Sequence, residues 1–264
     1  DYAGVGLSFV ADRVSFFDFN SNGIRISGAF HKHLDANTNQ YLSGGAYIGL
    51  VQRNVNIESL TFDDQFNGLD GYTFGTREDL PENNFAHGDI GVGLNYSVAP
   101  SDGLRLSGGV AAAHLISPSL SFFARTPDVE NAVDIDQFSK ITAYVSTDIA
   151  IHKRASLLPR LSWISQGPHS MLNAGTLVRF DINNHNSNAL HLGGALRLTE
   201  DQGSLAPSAF SFLTAIELST FLIGLSYDLN LDDIFNERLG QTVFELSVTY
   251  IGEYENEATF CPTF

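Results

Sequence analysis

The stretch Gly88-Asp89-Ile90-Gly91-Val92-Gly93-Leu94-Asn95-Tyr96-Ser97-Val98 divides cleanly by parity. Ile90, Val92, Leu94, Tyr96 and Val98 take one set of alternate positions; Asp89, Gly91, Gly93, Asn95 and Ser97 take the other. Side chains of a strand point alternately to its two faces, so this segment has one apolar face and one small, polar face. The split recurs along the chain. Ile24, Ile26 and Phe30 oppose Arg25, Ser27, His31 and His33; Leu190, Leu192, Leu196 and Leu198 oppose His191, Gly193, Arg197 and Thr199. Near the end, Phe221, Ile223, Leu225, Tyr227 and Leu229 oppose Gly224, Ser226, Asp228 and Asn230, and Phe244, Leu246, Val248 and Tyr250 oppose Glu245, Ser247 and Thr249.

About twelve such segments are expected, at 3–12, 22–34, 40–54, 87–97, 104–114, 139–152, 155–164, 170–182, 188–199, 208–218, 221–230 and 241–252. Most run roughly 10–14 residues, longer than the soluble average of ~5–6 and long enough for a tilted membrane-crossing strand of ~9–11. Connections of unequal length follow one another. Those at 13–21, 55–86, 115–138, 165–169, 200–207 and 231–240 are on average longer than those between them. Long loops on one side and short turns on the other are the habit of an up-and-down outer-membrane barrel. In hydrocarbon only helices and closed sheets satisfy every backbone group. The best helix candidate, Leu205 to Tyr227, is interrupted by Glu217 and starts beside Pro207, and it reads better as a hairpin. A soluble barrel or sandwich with the apolar face inward is the alternative, less suited to long strands carrying Gly and Ser on the other face.

Composition narrows the function. Of 264 residues, 43% are hydrophobic and only 17% charged; Asp+Glu number 30 against 14 Lys+Arg, giving a formal net charge of −16. Such a chain lacks the basic surface that binds a phosphate backbone, so no nucleic-acid partner is expected. The one cysteine, Cys261, excludes an internal disulfide framework. Asp1 leads directly into strand-like sequence, as in a mature or shortened chain.

Three stretches carry more than pattern. They are Gln52-Arg53-Asn54-Val55-Asn56-Ile57-Glu58-Ser59-Leu60-Thr61-Phe62-Asp63-Asp64-Gln65-Phe66; Leu222-Ile223-Gly224-Leu225-Ser226-Tyr227-Asp228 followed by Phe244-Glu245-Leu246; and the ending Phe260-Cys261-Pro262-Thr263-Phe264. With the opening Gly4-Val5-Gly6-Leu7 and Asp12-Arg13, they resemble the PorP/SprF family of Bacteroidota outer-membrane proteins, in the right order over nearly the whole chain. Thr263 departs from the basic residue common at its position. The resemblance implies an outer-membrane barrel of the type IX secretion system in a Gram-negative (Bacteroidota) bacterium. Its partners would be other components of that system, outer-membrane lipid, and exported adhesin-like cargo with a type B C-terminal domain, and it would have a link to gliding motility. It implies no enzymatic activity and no cofactor. Family members usually carry one more hairpin before the point where this chain starts, which implies roughly fourteen strands in the complete barrel, an even number. The expected division is a barrel over 1–252 and a periplasmic tail over 253–264.

Candidate sites lie in the loops. The 55–86 loop holds Glu58, Asp63, Asp64, Asp70, Glu78, Asp79 and Glu82 with Phe62 and Phe66; it suits a basic partner surface or plain solvation. The 115–138 loop carries Pro118, Phe122, Phe123, Pro127 and Phe138, an apolar content that suits a lumen plug or a protein contact. Phe62, Asp63, Asp64, Phe66, Phe122, Phe123 and Phe138 are therefore the candidate partner-binding residues. Asp18, Asn20 and Asn22, followed by Gly23, match half of a calcium loop, but Ala29 stands where its last carboxylate belongs, and a turn reading competes. His31 and His33 share a face without a third metal ligand nearby. Arg25, Arg105, Arg179 and Arg197 are expected to pair inside the barrel with Asp89, Asp148, Asp228 and Glu245. No nucleophile elbow or phosphate loop is present. A passive channel for small or apolar solutes is the alternative to secretion, and a barrel enzyme a third class.

Overall fold

A computed structural model describes residues 1–14, 18–35, 38–57, 60–69, 71–123, 135–182, 188–201, 203–231 and 242–250. They form one antiparallel sheet of twelve strands in chain order. The strands are β1 (Tyr2–Val14), β2 (Phe19–Asp35), β3 (Gln40–Asn54), β4 (Asn84–Ser101), β5 (Leu104–Ala113), β6 (Lys140–His152), β7 (Ala155–Gln166), β8 (His169–Asp181), β9 (Asn188–Asp201), β10 (Ser204–Leu218), β11 (Phe221–Asn230) and β12 (Val243–Tyr250). Each pairs with the next, which is the up-and-down order that alternation predicted. The expected closure is not seen among the described residues: β1 pairs only with β2, and β12 only with β11. No helix among the described residues is long and apolar enough to cross a membrane, which leaves crossing by strands untouched. The expected tail 253–264, Cys261 and the ending motif lie outside the described residues.

The two faces of the sheet are inverted relative to a water-soluble barrel. Val5, Leu7 and Phe9 are 93%, 73% and 70% exposed. Ile26, Ile48, Leu50, Leu94 and Val110, and then Phe244, Leu246 and Val248 on β12, are exposed as well. The register joins them into one surface: Leu7 faces Ile26, Ile26 faces Ile48, and Leu225 faces Leu246. Buried instead are Ser43, His87, Asp89, His191, Ser208 and Ser211. Water would penalise an apolar belt of this extent; acyl chains would not. Along β3 the belt runs from Leu42 to Leu50, eight steps of about 3.3 Å, which on a tilted strand approaches the ~25 Å apolar band of outer-membrane barrels.

The connections partly correct the alternation of long and short. The strand ends that the long ones, 55–83, 114–139 and 231–242, connect do lie at one end of the wall. However, β7 and β8 meet through Gly167-Pro168, and β9 and β10 through Gln202-Gly203, where longer loops were expected. Apolar alternation marks only the hydrocarbon span, whereas pairing needs only the backbone and continues past it. Gln166 still pairs with His169, and Ser204 with Asp201. Pro207 was a further obstacle to reading β10: the register shifts between Pro207 and Ala209, a bulge where a residue without N–H is tolerated.

Two glycines serve the inner face. Tyr47 lies opposite Gly91 and Tyr144 opposite Gly109. A methyl group at Gly91 would overlap the Tyr47 ring, so the ring lies flat across the glycine and sends its hydroxyl to Asp89. Tyr144 does the same at Gly109 and donates to Asn95 Oδ1 at 2.7 Å. Gly91→Val is expected to displace Tyr47 and to cost about 1–3 kcal/mol by overpacking, read as a lower denaturant midpoint in detergent.

Candidate functional site

The long connections gather at one mouth of the wall. The 55–83 segment is stitched to itself. The Val55 N–H donates to the Asn83 carbonyl at 2.9 Å and closes its base, and Ile57 is buried beneath it. A 3-10 turn covers Asp63–Gln65, and the Gln65 side chain accepts the Phe62 N–H at 2.8 Å. The Asp64 carboxylate accepts the Thr76 hydroxyl and the Arg77 N–H. Asn67 Oδ1 accepts the Leu69 N–H at 2.9 Å, a side-chain turn that Gly68, at φ +81°, makes possible. Phe66 bridges to Tyr72 with ring centroids 5.4 Å apart. The loop is thus a small built hairpin whose tip displays Leu69 at 90% exposure, with Phe66, Tyr72 and Phe74 also exposed. Asp63 and Asp64 are exposed and Phe62 is half-buried. Glu58 and Asp70 lie outside the described residues.

The 114–139 segment, described over 114–123 and 135–139, turns back on itself. Leu120 N–H donates to the Ile135 carbonyl at 2.8 Å, Gln137 N–H to Pro118 at 3.0 Å, and Ser119 bridges to Asp136. Phe122 packs edge-on to Phe85 at 4.9 Å and to Phe19 at 6.4 Å. Phe85 shares its strand face with His87 and Asp89, so the segment folds over the inner wall of β2 and β4. Phe123 and Phe138 are exposed, and Gln166 Nε2 donates to the Phe138 carbonyl at 3.1 Å. The sequence candidates therefore separate: Phe122 faces the wall, Phe66 packs within its own loop, and Phe123 and Phe138 remain on the surface. Pro127 lies outside the described residues.

Beneath this mouth sits a charged cluster. Asp89, whose side chain is fully buried, accepts Arg25 Nε at 2.9 Å, meets His114 Nδ1 at 2.9 Å and accepts the Tyr47 hydroxyl. The Arg25 guanidinium lies 5.4 Å from the Tyr47 ring centroid. Since His114 opens the 114–139 segment, the cluster ties that segment to β2, β3 and β4. At the opposite end, Arg179 forks onto both Glu217 oxygens at 3.0 and 3.1 Å, and His191 Nε2 lies 3.0 Å from Glu217 Oε2. Arg197 reaches Asp228 at 3.3 Å, and Arg105 stands directly opposite Asp148. Of the charges expected inside without assigned partners, Arg25 pairs with Asp89 and Arg197 with Asp228, while Glu245 faces Ser226.

Asn20 and Asn22 belong to β2, and the Asp18 carboxylate accepts Arg13 at 2.6 Å. That hydrogen bond holds the Asp18 carboxyl below its ordinary value. His31 bonds Ser43 Oγ at 2.7 Å and stacks on Tyr2, while His33 stacks on Tyr41. Among the described residues no group of three or more His, Cys, Asp or Glu is placed to hold a metal ion.

A family model described as the type IX secretion system membrane protein PorP/SprF matches residues 1–250. The chain belongs to the PorP/SprF family. No curated protein matches it. Membership makes it a membrane protein of type IX secretion, engaged with other components of that system, and with the strand-built wall it points to an outer-membrane location. In this PorP/SprF chain the sequence reading missed Glu217 as an inner ligand. That reading takes Glu217 only as a charge interrupting a helix; its parity, opposite to that of Phe212, Ile216 and Leu218, was the signal.

Proposed function

We propose that the chain is a non-enzymatic outer-membrane element of type IX secretion that docks, helps export or anchors adhesin-like cargo with a type B C-terminal domain, in a Bacteroidota cell that uses such cargo in gliding. The long-loop mouth faces the cell exterior and the short turns face the periplasm. One observation supports this above the others: the mouth displays exposed Leu69, Tyr72, Phe74, Phe123 and Phe138 on loops braced by their own hydrogen bonds. Exposed apolar side chains on pre-ordered loops bind without a large ordering cost. The carboxylates of Asp63, Asp64, Glu78, Asp79 and Glu82 around them favour a partner with basic groups near its apolar contact.

Phe123→Asp with Phe138→Asp is the test. Both residues are exposed, so the wall should assemble as in the parent. Two anchors of ~2 kcal/mol each predict cargo affinity reduced by about several hundredfold, read as loss of surface-displayed cargo by surface labelling of intact cells. Unchanged display alongside normal barrel assembly would discard the loop-docking reading.

A further inference from the structure

Three strands place a row of amides on the outer face of the wall, with an arginine from a fourth at its end, just beyond the apolar belt at the long-loop end. The register sets Arg13 opposite Asn20, Asn20 opposite Asn54, and Asn54 opposite Asn84. Each is an even number of residues from a belt residue on its own strand: Phe9, Ile24, Leu50 and Leu94. The row therefore points to the same side as the belt. One step nearer the belt, Asn22 faces Gln52, and Gln52 Nε2 donates to Asn84 Oδ1 at 3.0 Å. With Asn56, Asn83 and Asp18 the row lines an open cavity of about 500 Å3. Arg13 and Asp18 neutralise each other within it, at 2.6 Å.

Depth and chemistry select the occupant. Asn54 lies four steps beyond Leu50, roughly 13 Å along a tilted strand, which is the level of lipid head groups. An anion would meet the Asp18 carboxylate. Side-chain amides each offer two donors and an acceptor, the complement of neighbouring sugar hydroxyls. A ligand reaching down from this cavity would lay apolar chains on Phe9, Ile24 and Leu50, a contact that a free glycan could not make. We infer that this surface binds the sugar head group of a lipid-linked saccharide in the outer leaflet. The inference rests on the orientation given under Proposed function.

The experiment uses the whole chain in nanodiscs containing digalactosyl diacylglycerol, a glycolipid with an uncharged head group, in phosphatidylethanolamine, exchanged into detergent, with retained glycolipid counted by native mass spectrometry. The parent and Lys32→Ala, on the opposite rim, should each retain it. Asn20→Ala/Asn54→Ala/Asn84→Ala should retain about tenfold less or lower still, from the loss of two or more hydrogen bonds. Equal retention by the triple variant, or none by the parent, overturns the site. Full displacement by the free disaccharide of that head group overturns the lipid-linked source. Orientation is read separately: Leu69→Cys in a Cys261→Ser background should react with an impermeant maleimide on intact cells. Its failure to react overturns the orientation and the inference with it; reaction with equal retention overturns the site alone.

Discussion

Asp89→Ala is expected to destabilise the wall by about 3 kcal/mol, the low end of the ~3–5 kcal/mol seen when one partner of a buried ion pair is removed. The low end applies because the Arg25 side chain keeps 32% exposure and recovers some hydration, whereas the Asp89 side chain has none. Three donors converge on this one carboxylate: Arg25 from β2, Tyr47 from β3, and His114 from the start of the 114–139 segment. Removing it leaves them facing one another inside the wall, beneath Phe85 and Phe122. Asp89→Asn keeps the shape and the hydrogen-bond acceptor but loses the charge, so its cost should be roughly half. In Arg25→Ala/Asp89→Ala the two losses should add to less than their sum, because the second substitution removes the group that the first left unpaired. Urea unfolding of the detergent-solubilised barrel, followed by heat-modifiable gel mobility, measures all of these. Additive costs, or a cost below about 1 kcal/mol for Asp89→Ala, would mean that Asp89 is not the keystone of this cluster.

The fold was legible because period-two alternation survives wherever one face meets lipid. In β4 the alternation from Ile90 to Val98 gave the strand, its two faces and its neighbours at once. It was silent where the strand leaves the apolar layer. Asn84–Ala86 and Ala99–Ser101 extend β4 at both ends by backbone pairing or continuation alone, and Ser165 and Gln166 do the same for β7. Inner charges were legible as types, since Arg25, Arg197, Asp89 and Asp228 had to avoid the lipid face. Their pairing follows from register, which no single sequence states. The Arg179–Glu217–His191 cluster needs three strands brought side by side. The amide row was hidden for the same reason: Asn20, Asn54 and Asn84 are far apart in sequence and each resembles an ordinary turn residue. Apolar content marked the 115–138 loop as unusual, but the inward turn of Phe122 and the outward exposure of Phe123 come from the shape of the mouth.

Ile26→Arg should cost about 2–4 kcal/mol in a lipid bilayer, the price of a cation on the lipid face at mid-depth. Ile26 lies midway along β2, is 60% exposed, and sits between Leu7 and Ile48 on the belt. Two controls on the same strand carry the argument. Ser27→Arg, one residue on, points to the polar inner face and should change stability by no more than ~0.5 kcal/mol. Asn22→Arg keeps the outward direction but lies near the amide row, where the same substitution should cost ~0–1 kcal/mol. Face alone would make Ile26 and Asn22 equal, and depth alone would make Ile26 and Ser27 equal; only a wall with acyl chains against its apolar side separates all three. Reversible folding into bilayers, titrated with guanidinium, gives the three numbers. A small cost for Ile26→Arg, matching that of Asn22→Arg, would place this face in water, and the membrane-spanning reading of the sheet would go with it.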